Sequence, residues 1–243
     1  MAANRQRADN PIMTLQIGML LFPQITQLDL TGPIEMLHRV PDSAMHVVWK
    51  DTRPVQSASG LHLVPTTTLQ DCPKLDVLLV PGGAGTADLI TDAAIVDWVA
   101  TQGRGARYVT AVCTGSLVLG AAGLLDGYEA TTHWAYMDIL PTFGARPVRK
   151  RVVADRNRIT AGGVTAGIDF GLRLVAELAG ESVAQAIQLA LEYDPEPPYR
   201  SGHPDVAPPP VVERVRRLME GRVNAQRAKA KEWAARREAD RKR

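Results

Sequence analysis

The sequence predicts an α/β fold: a three-layer sandwich, flavodoxin-like, with a mostly parallel central sheet and a nucleophile elbow where one strand turns into a helix. Three observations predict it. Short, continuously apolar runs such as "LQIGMLLF" (15–22) and the start of "LDVLLVPGGAG" (75–85) read as strands covered on both faces. Segments with apolar residues at helical spacing alternate with these runs, the arrangement of a parallel sheet enclosed by helices. A single cysteine, Cys113, stands in "RYVTAVCTGSLVLGAAGLL" (107–125) at the seam between a strand pattern and a helix pattern.

The elements follow in order. After the first strand, "TQLDLTGPIEMLHRV" predicts a helix, with Pro33 early in it, where a missing N–H costs little. "MHVVWK" (45–50) is a second strand, and "GLHLVPTTTL" (60–69) short extended pieces around a turn. The strand in 75–85 runs into a glycine loop; "AAIVDWVATQ" (93–102) is a helix, "RYVTAV" (107–112) a strand and "TGSLVLGAAGLL" a helix. "EATTHW" (129–134) reads as a short strand entering a helix, and 148–163 as a hairpin turning at Asp155–Asn157. "AGIDFGLRLVAELAG" and "SVAQAIQLALEY" are helices, with Gly180 the stop between them. In such open sheets sites form at the carboxyl ends of strands, which gathers the loops beginning near Phe22, Pro81 and Cys113.

Organisation follows from composition. Residues 1–13 carry charge but no apolar stretch, so they read as a disordered arm or expression remnant and not as a secretory signal. Residues 14–207 read as the folded domain, closing on the proline-rich "DPEPPYRSGHPDVAPPP", an extended strap or linker. Residues 208–243 are a basic helical or disordered tail. From 211 onward there are twelve Lys/Arg against five Asp/Glu, while the whole chain is only +2. Basic tails can bind nucleic acid, but interspersed acids and little to bury favour a solvated helix that frays, so no nucleic-acid partner is expected. No apolar run approaches the roughly 18 residues needed to span a bilayer, so no membrane partner is expected either. The two cysteines, Cys72 and Cys113, form no disulfide framework or CxxC metal knuckle, so a cytoplasmic location is expected.

Three features carry chemistry. A tight strand-to-helix turn lifts Cys113 into a cleft, aims the first helical N–H groups at whatever it attacks, and through the helix dipole favours thiolate. Gly115 lets the chain pass the bend, and Ser116 can satisfy first-turn N–H groups. Geometry alone leaves a packing role for Cys113 open. The Gly82–Gly83 pair lacks P-loop and dinucleotide-binding spacing; its N–H groups could meet a developing negative charge together with the Thr114 N–H, or form a plain turn. Asp29, in "QLDLTGP", is either a proton-handling carboxyl among leucines or a helix N-cap. His133 in "TTHW" reads as a structural histidine. Asp169, Glu177 and Glu192 read as solvated or capping groups. No cofactor and no metal-ligand cluster are indicated.

"VPGGAG", "TAVCTGSLVLGAAGLLDGYEATTHW" and "AGGVTAGIDFGLRLV", with the closing "LALEYDPEPPYRSGHPD", resemble the ThiJ/PfpI superfamily, relatives of class I glutamine amidotransferases. Within it the likeness, over residues 14 to 207, is to the isonitrile (isocyanide) hydratases. The resemblance implies Cys113 as nucleophile, Asp29 as the acidic residue near the first strand, and Thr114 at the position after the nucleophile. It also puts Gly83, with Gly82, in the oxyanion loop and Val164 on the cavity-lining helix entry. Peptidase-like members carry His after the nucleophile; here it is Thr114, which leaves amide hydrolysis without an obvious proton donor for the leaving amine. The implied reaction is hydration of a small-molecule isonitrile to an N-substituted formamide through a cysteine thioimidate, in an apolar pocket and in a homodimer. Alternatives are a glyoxalase or deglycase of the same superfamily, and a non-catalytic ligand-sensing domain like that of certain transcription regulators. Those regulators add a helix-turn-helix module, for which the residues after 207 are too few and too polar.

Overall fold

The computed structural model describes residues 14–241; the residue 1–13 arm lies outside them. Numbering only the strands of the central sheet, the chain forms β1 (Leu15–Leu20), β2 (Ser43–Trp49), β3 (Thr67–Thr68), β4 (Val77–Val80), β5 (Tyr108–Val112), β6 (Val152–Asp155) and β7 (Arg158–Ala161). The seven lie in the order β6-β7-β5-β4-β1-β2-β3, all neighbours parallel except the β6–β7 hairpin. Sequence runs outward from β1 to β3, then returns to β4 on the other side of β1. The strand order therefore reverses between β1 and β4, and the crevice this opens lies at their carboxyl ends.

The helices are α1 (Gln27–Leu37), α2 (Thr86–Leu89), α3 (Ala93–Gly105), α4 (Gly115–Ala121), α5 (Ala166–Ala179), α6 (Glu181–Ala190) and α7 (Pro209–Arg241), with a 3-10 segment at Trp134–Phe143. α1 packs on α5, while α3 packs on α4. All four residues of β4 and all seven of α4 are buried, which is why these segments read as uninterrupted apolar runs. Gly18 of β1 fits against Leu75, and Gly171 of α5 fits against Met36 and Pro33, a close approach that brings α1 and α5 together.

Three local expectations change. Pro33 is the seventh of eleven residues in α1, not in its first turn, so it removes a helical hydrogen bond there; packing against Gly167 and Gly171 holds the helix in place. Ser116 does not cap α4; its hydroxyl lies within hydrogen-bond reach of the Thr131 carbonyl (2.7 Å) and the Cys113 carbonyl (3.0 Å). The basic tail is not a fraying helix. Gln226 and Ala230 of α7 are buried, and Trp233 stacks edge-on to Phe143 at 4.8 Å and donates to the Ala121 carbonyl at 3.1 Å. Arg227 meets Asp138 at 2.8 Å. No helix among the described residues is long and apolar enough to cross a membrane.

Candidate active site

Cys113 follows β5 and adopts φ 55°, a left-handed conformation that a non-glycine residue takes only under constraint. The constraint is visible on both sides of the residue. Its N–H donates to the carbonyls of Ala161 and Gly162, 3.0 Å each, and its own carbonyl accepts from Thr132 Oγ1 at 2.7 Å. Gly115 follows because the new helix starts directly under β4; a Cβ there would overlap the Val80 carbonyl. Cys113 is 6% exposed.

Asp29 is not an N-cap. Thr26 holds that position, and Asp29 sits in the first turn of α1, fully buried. Its Oδ2 accepts the Gly82 N–H at 3.0 Å, and Oδ1 has no hydrogen-bond partner among the described residues. The loops after β1 and β4 are tied by Thr26 N–H to Gly82 O at 2.9 Å and by a bridge between Ile25 and Gly83. A Cβ on Gly82 would stand 2.7 Å from Asp29 Oδ2, from Cys113 Cβ and from Thr114 N. The first glycine of the pair is thus the gap through which acid, thiol and elbow meet.

Burial governs the electrostatics. It lifts the Asp29 carboxyl from 3.8 to about 7, against the opposing pull of the Gly82 N–H and of Cys113. It drives the Cys113 thiol well above its ordinary value, and the charge of Asp29 adds to the rise; the N–H groups of Thr114 and Val164 pull the other way. The resting thiolate suggested by the helix dipole is not the favoured state: desolvation outweighs the dipole and favours the thiol. His133, lowered by burial to about 4, is neutral.

The glycine N–H groups are already committed in this arrangement. Gly82 donates to Asp29, and Gly83 donates to Thr114 Oγ1 at 3.0 Å. The donors that face the sulfur are the N–H groups of Thr114 and Val164. Val164 also has positive φ, 36°, rare for a β-branched residue. Two contributors were not legible as such: the Val164 N–H as a sulfur partner, and Thr132 as the clamp on the elbow carbonyl. Thr132 stands beside the more conspicuous His133 in the "TTHW" segment.

A cavity of about 460 Å³ adjoins this cluster, walled by Thr132, His133, Trp134, Met137, Val164 and the basic run Arg149–Arg151. Cys113 is not on its wall, although Thr132, which holds the Cys113 carbonyl, and Val164, whose N–H meets the sulfur, are. The walls are mixed, not apolar as the sequence suggested. A depression of about 490 Å³ along the first half of α7 shares Trp134 and Arg149 with it and is not lined by Asp29, Gly82, Cys113, Thr114 or Val164. Among the described residues no group of three or more His, Cys, Asp or Glu side chains could hold a metal ion.

The model of the DJ-1/PfpI family matches residues 16–177, which include Asp29, Gly82, Cys113 and Val164. The chain belongs to the DJ-1/PfpI family. Within that family it is 60% identical to the isonitrile hydratase of Pseudomonas putida over 205 residues, 84% of this chain and 90% of that one. A crystal structure of a ThiJ/PfpI family protein from Pseudomonas syringae superposes with a TM-score of 0.88 at 44% identity, covering 95% of this chain and 97% of that one. The HTH-type transcriptional regulator GbdR of Pseudomonas aeruginosa is 31% identical across 73% of this chain, which spans half of the regulator's length. The DJ-1/PfpI assignment rests on the domain and stops short of α7, which begins at Pro209.

Proposed function

We propose that the protein hydrates isonitriles to N-substituted formamides, with Cys113 as nucleophile and Asp29 as its proton carrier. The observation that carries this reading is the buried pair itself: a protonated thiol and a carboxyl near pH 7, across Gly82 from each other, with Thr114 and no histidine at the next position. The 60% identity to the Pseudomonas putida enzyme supports it.

The chemistry balances with these groups alone. Ionised Asp29 takes the thiol proton as sulfur bonds to the terminal carbon of R–NC. It then delivers that proton to the same carbon, giving the thioimidate Cys–S–CH=N–R. Asp29 next removes one proton from water as the water oxygen adds to the carbon, and water's second proton goes to nitrogen, leaving Cys–S–CH(O−)–NH–R. Collapse of the adduct breaks the C–S bond, returns the proton to sulfur and releases R–NH–CHO. No amine leaves, so the acid that a following histidine would supply is not needed. Negative charge on sulfur meets the Thr114 and Val164 N–H groups. The mixed walls of the neighbouring cavity suit an R group with polar as well as apolar parts.

The test is formation of the formamide from a cycloalkyl isonitrile, followed optically, with Cys113→Ala as control; no turnover by the unaltered protein overturns the reading. A second reading, a ligand-sensing domain, draws on the likeness to GbdR. Sequence-specific, tail-dependent DNA binding in a gel shift would favour it. A homodimer in a reducing cytoplasm completes the proposal, in keeping with two free cysteines.

A further inference from the structure

Thr114, whose N–H faces the Cys113 sulfur, is held from the far end of the chain. Its Oγ1 accepts the Gly83 N–H at 3.0 Å and lies 3.0 Å from Thr86 Oγ1. Thr86, fully buried, also reaches the Gly83 carbonyl at 2.7 Å. Beyond it, Thr86 Oγ1 accepts a hydrogen bond from Nε2 of Gln226, 140 residues later, on α7 and 2% exposed.

Each hydroxyl has one hydrogen. Gln226 donates to Thr86 Oγ1, and the Thr86 hydrogen serves the Gly83 carbonyl at 2.7 Å or Thr114 Oγ1 at 3.0 Å, while Thr114 Oγ1 itself lies 3.2 Å from the same carbonyl. The chain ends on the loop whose other glycine holds Asp29. Docking of α7 does not require this amide. Trp233 and Arg227 already anchor the helix, and Gln226 Oε1 is buried without a partner among the described residues, a cost an apolar side chain would avoid.

We propose that Gln226 is a positioning residue: through Thr86 its amide fixes the Thr114 hydroxyl and the Gly82–Gly83 loop, and so the N–H that faces the nucleophile. The C-terminal helix is then part of the catalytic centre. The inference rests on Cys113 acting as nucleophile, not on which substrate it attacks.

Gln226→Leu removes the donor and keeps the bulk. The expected result is a roughly tenfold fall in kcat, the net worth of one hydrogen bond, with KM within about twofold. The pH profile of Cys113 alkylation by iodoacetamide, read without any isonitrile, should move to higher pH while the unfolding midpoint is unchanged or raised. Thr86→Val should reproduce the shift, the double variant should be no worse than the poorer single one, and Thr86→Ser should restore most of the loss. Should Gln226→Leu fail to fold, Gln226→Met is read the same way. Wild-type alkylation in the Gln226 variant, or additive effects in the double variant, would overturn the proposal. Because alkylation needs no isonitrile, it decides this point even if the hydratase reading fails.

Discussion

Asp29 Oδ2 and Cys113 Cβ, 84 positions apart in sequence, both lie 2.7 Å from where a side-chain carbon of Gly82 would stand. The acid and the nucleophile are neighbours because the residue between them has no side chain. Gly82→Ala should therefore push the two apart. Stability should fall by about 1–3 kcal/mol from overpacking, and turnover should drop at least tenfold. Denaturant titration and steady-state rates check this; an alanine variant with normal rates would show that the close approach is unused.

Asp29→Asn keeps the acceptor for the Gly82 N–H and removes the titrating group. Turnover should fall by about 10²–10⁴, the usual worth of a proton-transfer group, while Cys113 alkylation moves to lower pH because the Asp29 charge that raises the thiol is gone. Opposite movement of activity and thiol acidity is the signature. Parallel movement would mean that Asp29 only ionises the sulfur.

The same carboxyl makes stability depend on pH. Its folded value, about 7, lies above the ordinary 3.8. The folded state therefore binds the Asp29 proton more tightly, an advantage present below about pH 4 and lost as pH rises through 7. Asp29→Asn should flatten the stability curve across that window and leave the variant about 2–4 kcal/mol more stable than wild type at pH 8. Equal slopes of unfolding free energy against pH in the two proteins would contradict the buried acid.

In the hydratase reading the carboxylate must accept the thiol proton, so kcat/KM should rise with pH through about 7. His133, held near 4, should add no limb near 6.5, and His133→Phe should leave the inflection in place. A profile flat from pH 5 to 9 would remove Asp29 from the proton path.

Trp233 should anchor α7 to the domain. Trp233→Ala loses the Phe143 contact and the bond to the Ala121 carbonyl, and should cost about 2–3 kcal/mol, below the value for a fully buried aromatic. Amide exchange across residues 209–241 should quicken more than in the sheet. Uniform exchange rates would mean that the helix is held elsewhere.

Sequence alone determined what depends on neighbours in the chain: the alternation of apolar strands and helices, the elbow at Cys113 with its Gly115, the glycine loop after the buried strand, and the turn of the last hairpin. These are local because backbone periodicity, turn chemistry and a close helix–strand approach are set over a few residues. Tertiary structure alone decided whether Asp29 capped a helix or faced the thiol, whether sulfur rested as thiolate or thiol, which N–H groups met it, and whether the basic tail was free. Each of these turns on desolvation or on a partner far along the chain: Gly82 for Asp29, Val164 for Cys113, Thr86 for Gln226, Phe143 for Trp233. Ionisation and hydrogen-bond direction follow from the atoms that distant segments bring to one place, and no short window of sequence contains those atoms.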